Sequence, residues 1–100
     1  MEPVGFALVG AGKVAEIHAR ALNELPEARL VVVVSRTFEK AKRLAQQYGA
    51  EWDTDLQRAL SRPEVEAVDV CTPSGAHLEE VEAAATAGKH VIVEKPLEVT

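Results

Sequence analysis

A doubly wound parallel sheet of the α/β class, with about five strands, is what this chain of 100 residues predicts, and a few observations carry it. Near-continuous apolar runs recur at 4–9, 30–34, 67–71 and 90–94, the pattern of strands buried on both faces by flanking helices. Segments with apolar residues at helical spacing separate them, so strand and helix alternate. The first strand runs straight into Gly10-Ala11-Gly12-Lys13-Val14-Ala15, a G-x-G-x-x-A turn placed between a strand and a helix.

The elements follow in order. After the turn, Val14, Ile17, Ala21, Leu22 and Leu25 recur at helical spacing until Pro26 stops the helix, and Leu30 to Val34 form the second strand. Thr37 is placed to cap a second helix whose inner face would be Phe38, Ala41, Ala45 and Tyr48, with Gly49 where helices commonly end. A weak strand covers Ala50 to Trp52. Thr54 and Gln57 have capping-box spacing, which predicts a short helix through Leu56, Ala59 and Leu60 ended by Pro63. Ala67 to Cys71 is the fourth strand. Ser74 or Gly75 opens a helix carrying Leu78, Val81 and Ala85, closed by Gly88, and His90 to Glu94 is the fifth strand. There are no repeats, linkers or low-complexity tracts.

The glycine turn has a chemical meaning in this setting. Gly10 would make the tight turn, Gly12 would let a pyrophosphate approach the backbone, and Ala15 would let the helix pack close to the strand. The helix N-terminus, with Lys13 and Val14 in its first turn, adds N–H donors and a positive dipole end. After the second strand an NAD site usually presents a carboxylate to the ribose hydroxyls. Here the chain reads Ser35-Arg36-Thr37, and no acid occurs before Glu39. Arg36 is placed to meet a 2′-phosphate, so NADP is expected in preference to NAD. A methyltransferase with a similar turn would want an acid where Ser35 and Arg36 stand.

Composition narrows the function classes. The formal charge of -5, with scattered Lys and Arg, argues against a nucleic-acid surface. No run approaches the ~20 apolar residues of a membrane span, and the start Met1-Glu2-Pro3 lacks signal-peptide features, so no membrane partner and a cytoplasmic location are expected. Cys71 is the lone cysteine, which rules out an internal disulfide. His18, beside Ile17, fits a partly buried packing role, His90 a structural or exposed one, and no metal-ligand spacing stands out.

Two further motifs fall on the carboxyl edge of the sheet, where ligands of open α/β sheets bind. Cys71-Thr72-Pro73-Ser74-Gly75-Ala76-His77 follows the fourth strand: Thr72 and Pro73 would line the cofactor, and His77 would face its nicotinamide half or be a plain polar residue at a helix start. Glu94-Lys95-Pro96 ends the fifth. It places a lysine where a substrate hydroxyl would meet the nicotinamide, whose positive charge depresses the lysine pKa and suits it to general base work.

With these motifs in this order, the whole chain resembles the N-terminal, Rossmann-like domain of the Gfo/Idh/MocA oxidoreductases. The resemblance implies hydride transfer between a nicotinamide cofactor and a hydroxyl or carbonyl substrate such as a sugar or polyol. It also implies that Lys95 is the catalytic lysine, that Glu94 places it, that Pro96 follows a cis peptide bond, and that His77 lies near the nicotinamide. Residues 1–100 are thus expected to be one dinucleotide-binding domain, incomplete before its last strand and without the family's substrate domain, hence inactive alone. An edge strand at Val91, Ile92 and Val93 predicts a homo-oligomer. The alternative is a non-catalytic nucleotide-binding or assembly module that self-associates through that strand.

Overall fold

The computed structural model describes residues 2–71 and 74–93, the side chains of 74–78 and 93 excepted. The expectations for Thr72, Pro73, Glu94, Lys95 and Pro96, and for the side chain of His77, lie outside the described residues.

The chain runs β1 (Val4–Val9), α1 (Lys13–Glu24), β2 (Ala28–Val34), α2 (Phe38–Gln47), β3 (Glu51–Asp53), α3 (Leu56–Leu60), β4 (Ala67–Val70), α4 (Ser74–Thr86) and β5 (His90–Val93). The strands form one sheet in the order β3-β2-β1-β4-β5, and every pairing is parallel. The chain winds outward from β1 to β3 on one side, then returns to β4 and β5 on the other. The order therefore reverses beside β1, and the crevice above that reversal is where ligands of such sheets bind.

Each face of the sheet is covered. Leu8, Leu30 and Val33 pack with Ala15, Ala19 and Leu22 of α1 and Ala41, Leu44 and Ala45 of α2. On the other face Val9, Val32, Val68 and Val70 meet Ala59 and Leu60 of α3 and Ala84 of α4. The inner helix faces match the spacing only in part: Leu22, Ala41 and Ala45 are buried as expected, and Tyr48 and Val81 pack against the core. In α1 the buried residues are Ala15, Ala19 and Leu22, while Ile17 is 64% exposed, Leu25 50% and Val14 43%. In α2 Leu44 is buried and Phe38 is half exposed. In α4 Ala84 is buried and Ala85 exposed. The physical reason is shared: these helices lie close on the sheet, alanine allows that approach, and the larger side chains are displaced to the flanks.

The helix ends show two further differences. Asp55, not Thr54, caps α3, its side chain accepting from the N–H groups of Gln57 and Arg58. A carboxylate one residue nearer the helix takes both donors. Thr37 holds the N-cap position of α2 but its side chain makes no cap; its N–H instead donates to Ser35 Oγ at 3.1 Å. Gly49 and Gly88 end α2 and α4 with φ of +70° and +79°, as expected of left-handed caps.

The sequence pattern gives no hint of Gly5. A Cβ there would run into the carbonyl oxygen of Glu64, because the chain entering β4 lies directly against the start of β1. The Glu66 N–H donates to the Gly5 carbonyl at 2.8 Å, closing this contact. Gly5→Ala is expected to destabilise the domain by about 1–3 kcal/mol, the usual cost of overpacking. Thermal unfolding should register this as a Tm lowered by roughly 4–20 °C.

Candidate dinucleotide site

At the carboxyl end of β1 the backbone makes a sharp turn that only glycine accommodates. Gly10 has φ +121°, and a Cβ on it would stand 3.1 Å from the carbonyl carbon and oxygen of Cys71. Its N–H donates to the Val34 carbonyl at 2.7 Å, and the Cys71 N–H donates to the Val9 carbonyl at 2.8 Å. The three central strands are thus tied together at the level of the turn. Gly12 is different: it is the N-cap of α1 with φ -88°, and a Cβ there would meet nothing within 4 Å. Packing among the described residues does not require this glycine; its missing side chain leaves room above the helix N-terminus. Ala15, fully buried, sits one turn on against the sheet.

The room is substantial. A cavity of about 870 Å³ opens over the turn, lined by Gly10, Gly12, Lys13 and Val14, by Ser35 and Arg36 after β2, by Thr54, Leu56 and Gln57 before and in α3, and by Cys71, Glu79, Glu80 and Ala83. The structure therefore brings Gly10, Gly12, Lys13, Val14, Ser35 and Arg36 to one pocket, with Ala15 packed beneath. Thr37 is exposed and is not among the lining residues.

The sequence reading misses the far wall, Thr54 to Gln57. The carboxylates of Asp53 and Asp55 build it, that of Asp55 as the cap of α3. Asp53, 9% exposed, accepts from Arg58 Nε at 2.9 Å, from Arg58 Nη2 at 2.8 Å and from the Asp55 N–H at 2.9 Å. The Arg58 hydrogen bonds hold the Asp53 carboxyl down at about 2, from a usual 3.8, and Asp53 in turn raises the Arg58 guanidinium. Nothing in the apolar periodicity marks a pair five residues apart across a strand end and a short helix.

The reading also misses Asp69, 4% exposed in the middle of β4. His18 Nδ1 of α1 lies 2.7 Å from Asp69 Oδ2, so His18 is partly buried as expected but serves as a hydrogen-bond partner as well as packing. An acid inside an otherwise apolar strand was the available signal. Cys71 Sγ is 3.5 Å from Asp69 Oδ1, and the ligand atoms of His18, Asp69 and Cys71 all lie within 4.8 Å of one another. Donors sharing one ion at ~2.0–2.3 Å stand roughly 3.3–3.7 Å apart, so the short His18–Asp69 contact is that of a hydrogen-bonded pair.

Comparison with known proteins follows the same lines. Residues 4–100 match the family model described as "Oxidoreductase family, NAD-binding Rossmann fold". The chain belongs to the Gfo/Idh/MocA oxidoreductase family. Over 93 residues, 92% of the chain, it is 45% identical to 4-carboxy-2-hydroxymuconate-6-semialdehyde dehydrogenase of Sphingobium sp. (strain NBRC 103272 / SYK-6), covering 30% of that protein. It is 35% identical to inositol 2-dehydrogenase of Rhizobium meliloti (strain 1021), covering 96% of the chain and 29% of that relative. The crystal structure of GenD2 from gentamicin A biosynthesis, in complex with NAD, superposes with TM-score 0.93 at 36% identity, over 100% of the chain and 29% of GenD2. The chain thus spans about 30% of the length of the relatives it matches. This Gfo/Idh/MocA domain is an NAD(P)-binding Rossmann domain, and its own residues fit a dinucleotide: Gly12 leaves its cradle unfilled, and the cavity runs from the α1 N-terminus to the loops after β2 and β3.

The Asp53 carboxyl lies lower in the folded chain than its usual 3.8. Its contribution to stability is therefore complete above that value and is lost as the pH falls toward about 2. In acid titrations followed by circular dichroism, Arg58→Gln should unfold at a higher pH than wild type and show a weaker pH dependence of stability in that window.

Proposed function

We propose that the chain is the cofactor-binding part of an NADP-preferring oxidoreductase that transfers hydride between the nicotinamide and a hydroxyl or carbonyl of a sugar, a polyol or a related compound. The observation that carries the preference is Arg36. It lines the pocket directly after β2, where no carboxylate stands to meet a 2′-hydroxyl or repel a 2′-phosphate. GenD2 is a structure with NAD in this fold, so the fold alone does not dictate NADP, and on this reading the loop after β2 makes the choice. A charge-assisted contact of about 1.5–3 kcal/mol to the phosphate would give roughly 10- to 100-fold discrimination.

On this reading, Gly10 and Gly12 give the backbone surface for the pyrophosphate, the first-turn N–H groups of Lys13, Val14 and Ala15 supply donors, and Ser35 and Thr37 frame Arg36. When bound, the nicotinamide supplies the hydride acceptor. The chain's own contribution to the chemistry rests on the family resemblance: Lys95 takes the proton of the substrate hydroxyl as its carbon loses hydride, Glu94 places Lys95, and Thr72, Pro73 and His77 border the nicotinamide side. The inositol and semialdehyde dehydrogenases among the relatives support a small hydroxyl or carbonyl compound as substrate.

The second reading, an assembly module, is favoured by β5, which stands at the edge of the sheet among the described residues with Ile92 46% exposed. Self-association through β5 is compatible with either reading. The same proposal places the protein in the cytoplasm, without nucleic-acid or membrane partners; no described helix is long and apolar enough to cross a membrane.

Calorimetric titration should give NADPH binding at least tenfold tighter than NADH. In Arg36→Asp that preference should vanish. Gly12→Val places a side chain into open space within the pocket, so it should weaken both dinucleotides more than tenfold while leaving Tm within a few degrees of wild type. A folded wild-type chain that binds neither dinucleotide would leave the assembly reading in front.

A further inference from the structure

The backbone is held on each side of Arg36. The N–H of Ser35 donates to the Asp53 carbonyl at 3.1 Å, and the N–H of Thr37 donates to Ser35 Oγ at 3.1 Å. The loop that carries Arg36 is therefore fastened to the end of β3, the residue whose side chain is forked by Arg58. Neither Asp53 nor Arg58 lines the cavity, whereas Thr54, Leu56 and Gln57 between and beside them do. The pair stands behind the wall, one strand spacing from the Arg36 loop. Its two members differ in accessibility: the Asp53 side chain is 8% exposed and that of Arg58 66%.

We propose that the Asp53–Arg58 pair is a specificity-determining element of the cofactor site, acting from behind its wall by cancelling two opposite charges that would each act on the adenosine 2′-position. Left alone, the Asp53 carboxylate would repel a 2′-phosphate and favour a plain ribose. Left alone, the Arg58 guanidinium would attract the phosphate alongside Arg36. Paired, they present a neutral, rigid wall, so that Arg36 is the group that reads the 2′-substituent, and the bidentate fork keeps the loop from Thr54 to Gln57 in register with it. This inference rests on the dinucleotide reading of the pocket and adds to it two residues that do not line the pocket.

The charges predict effects of opposite sign, which a merely structural pair does not. The protein and its Asp53→Asn, Arg58→Gln and Arg58→Lys variants would be titrated with NADPH and with NADH at low and high salt, after circular dichroism has shown each to be folded. The ratio of NADPH to NADH affinity is expected to rise roughly threefold in Asp53→Asn, to fall roughly threefold in Arg58→Gln and to stay near wild type in Arg58→Lys, with the shifts shrinking at high salt. If both neutralising variants move the ratio in the same direction, leave it unchanged, or shift it independently of salt, the proposal is overturned. Should Asp53→Asn fail to fold, Arg58→Gln against Arg58→Lys decides, since equal ratios in those two also overturn it. Wild-type chain binding neither dinucleotide would sink the underlying reading and this inference together; normal wild-type binding with an unmoved ratio sinks the inference alone.

Discussion

The close approach of Gly10 to the Cys71 backbone is the constraint on which the rest of the structure depends. At this point β1 stops, the chain turns back with a positive φ, and the loop after β4 passes within contact of the turn. The hydrogen bonds Gly10 to Val34 and Cys71 to Val9 hold the ends of β2, β1 and β4 level. Only with those ends level does the N-terminus of α1 face the mouth of the crevice. Buried Ala15 then fixes how closely α1 lies on the sheet, and so how deep the crevice is.

Charge enters this apolar framework sparingly. Asp53 and Asp69 are the buried polar or charged residues among those described, and both lie on strands that flank the pocket. Each is held by one basic side chain from a helix: Arg58 of α3 for Asp53, His18 of α1 for Asp69. A buried carboxylate without such a partner is costly, so each pair also fixes how its helix sits against the strand. The helices whose positions shape the pocket are thus tied to the strands by these polar contacts as well as by the packing of Ala15, Ala19 and Leu22 in α1 and of Ala59 and Leu60 in α3.

The strands and their order of connection were legible because parallel strands buried on both faces leave long apolar runs that little else imitates. The glycine turn was legible because strand, turn and helix occur in immediate succession. The inner helix faces were legible only in part: Leu22, Ala41 and Ala45 are buried as their spacing implies. Periodicity weights side chains by size, and elsewhere the small ones face inward: Ala19 and Ala84 are buried, while Ile17 and Phe38 are not. Part of the pocket wall was hidden for another reason. Thr54 and Gln57 look like ordinary cap residues until the fold sets them in the same pocket as Arg36. The shift of the α3 cap from Thr54 to Asp55 depended on which of two neighbouring oxygens reached the helix donors, a matter of ångströms rather than of pattern.

The tie between the start of β1 and the segment entering β4 has a consequence for the order in which the molecule assembles. Gly5 and Glu66, which contact each other through backbone and side chain, are 61 residues apart in sequence. Synthesis delivers β1, β2 and β3 with their helices first, and these can pair among themselves. One side of β1, the middle strand of the five described, then waits with its backbone unpaired until β4 has emerged. Long-range parallel pairing of this kind is slow, so for that interval the nascent chain carries an open apolar edge at the place that later becomes the floor of its binding crevice.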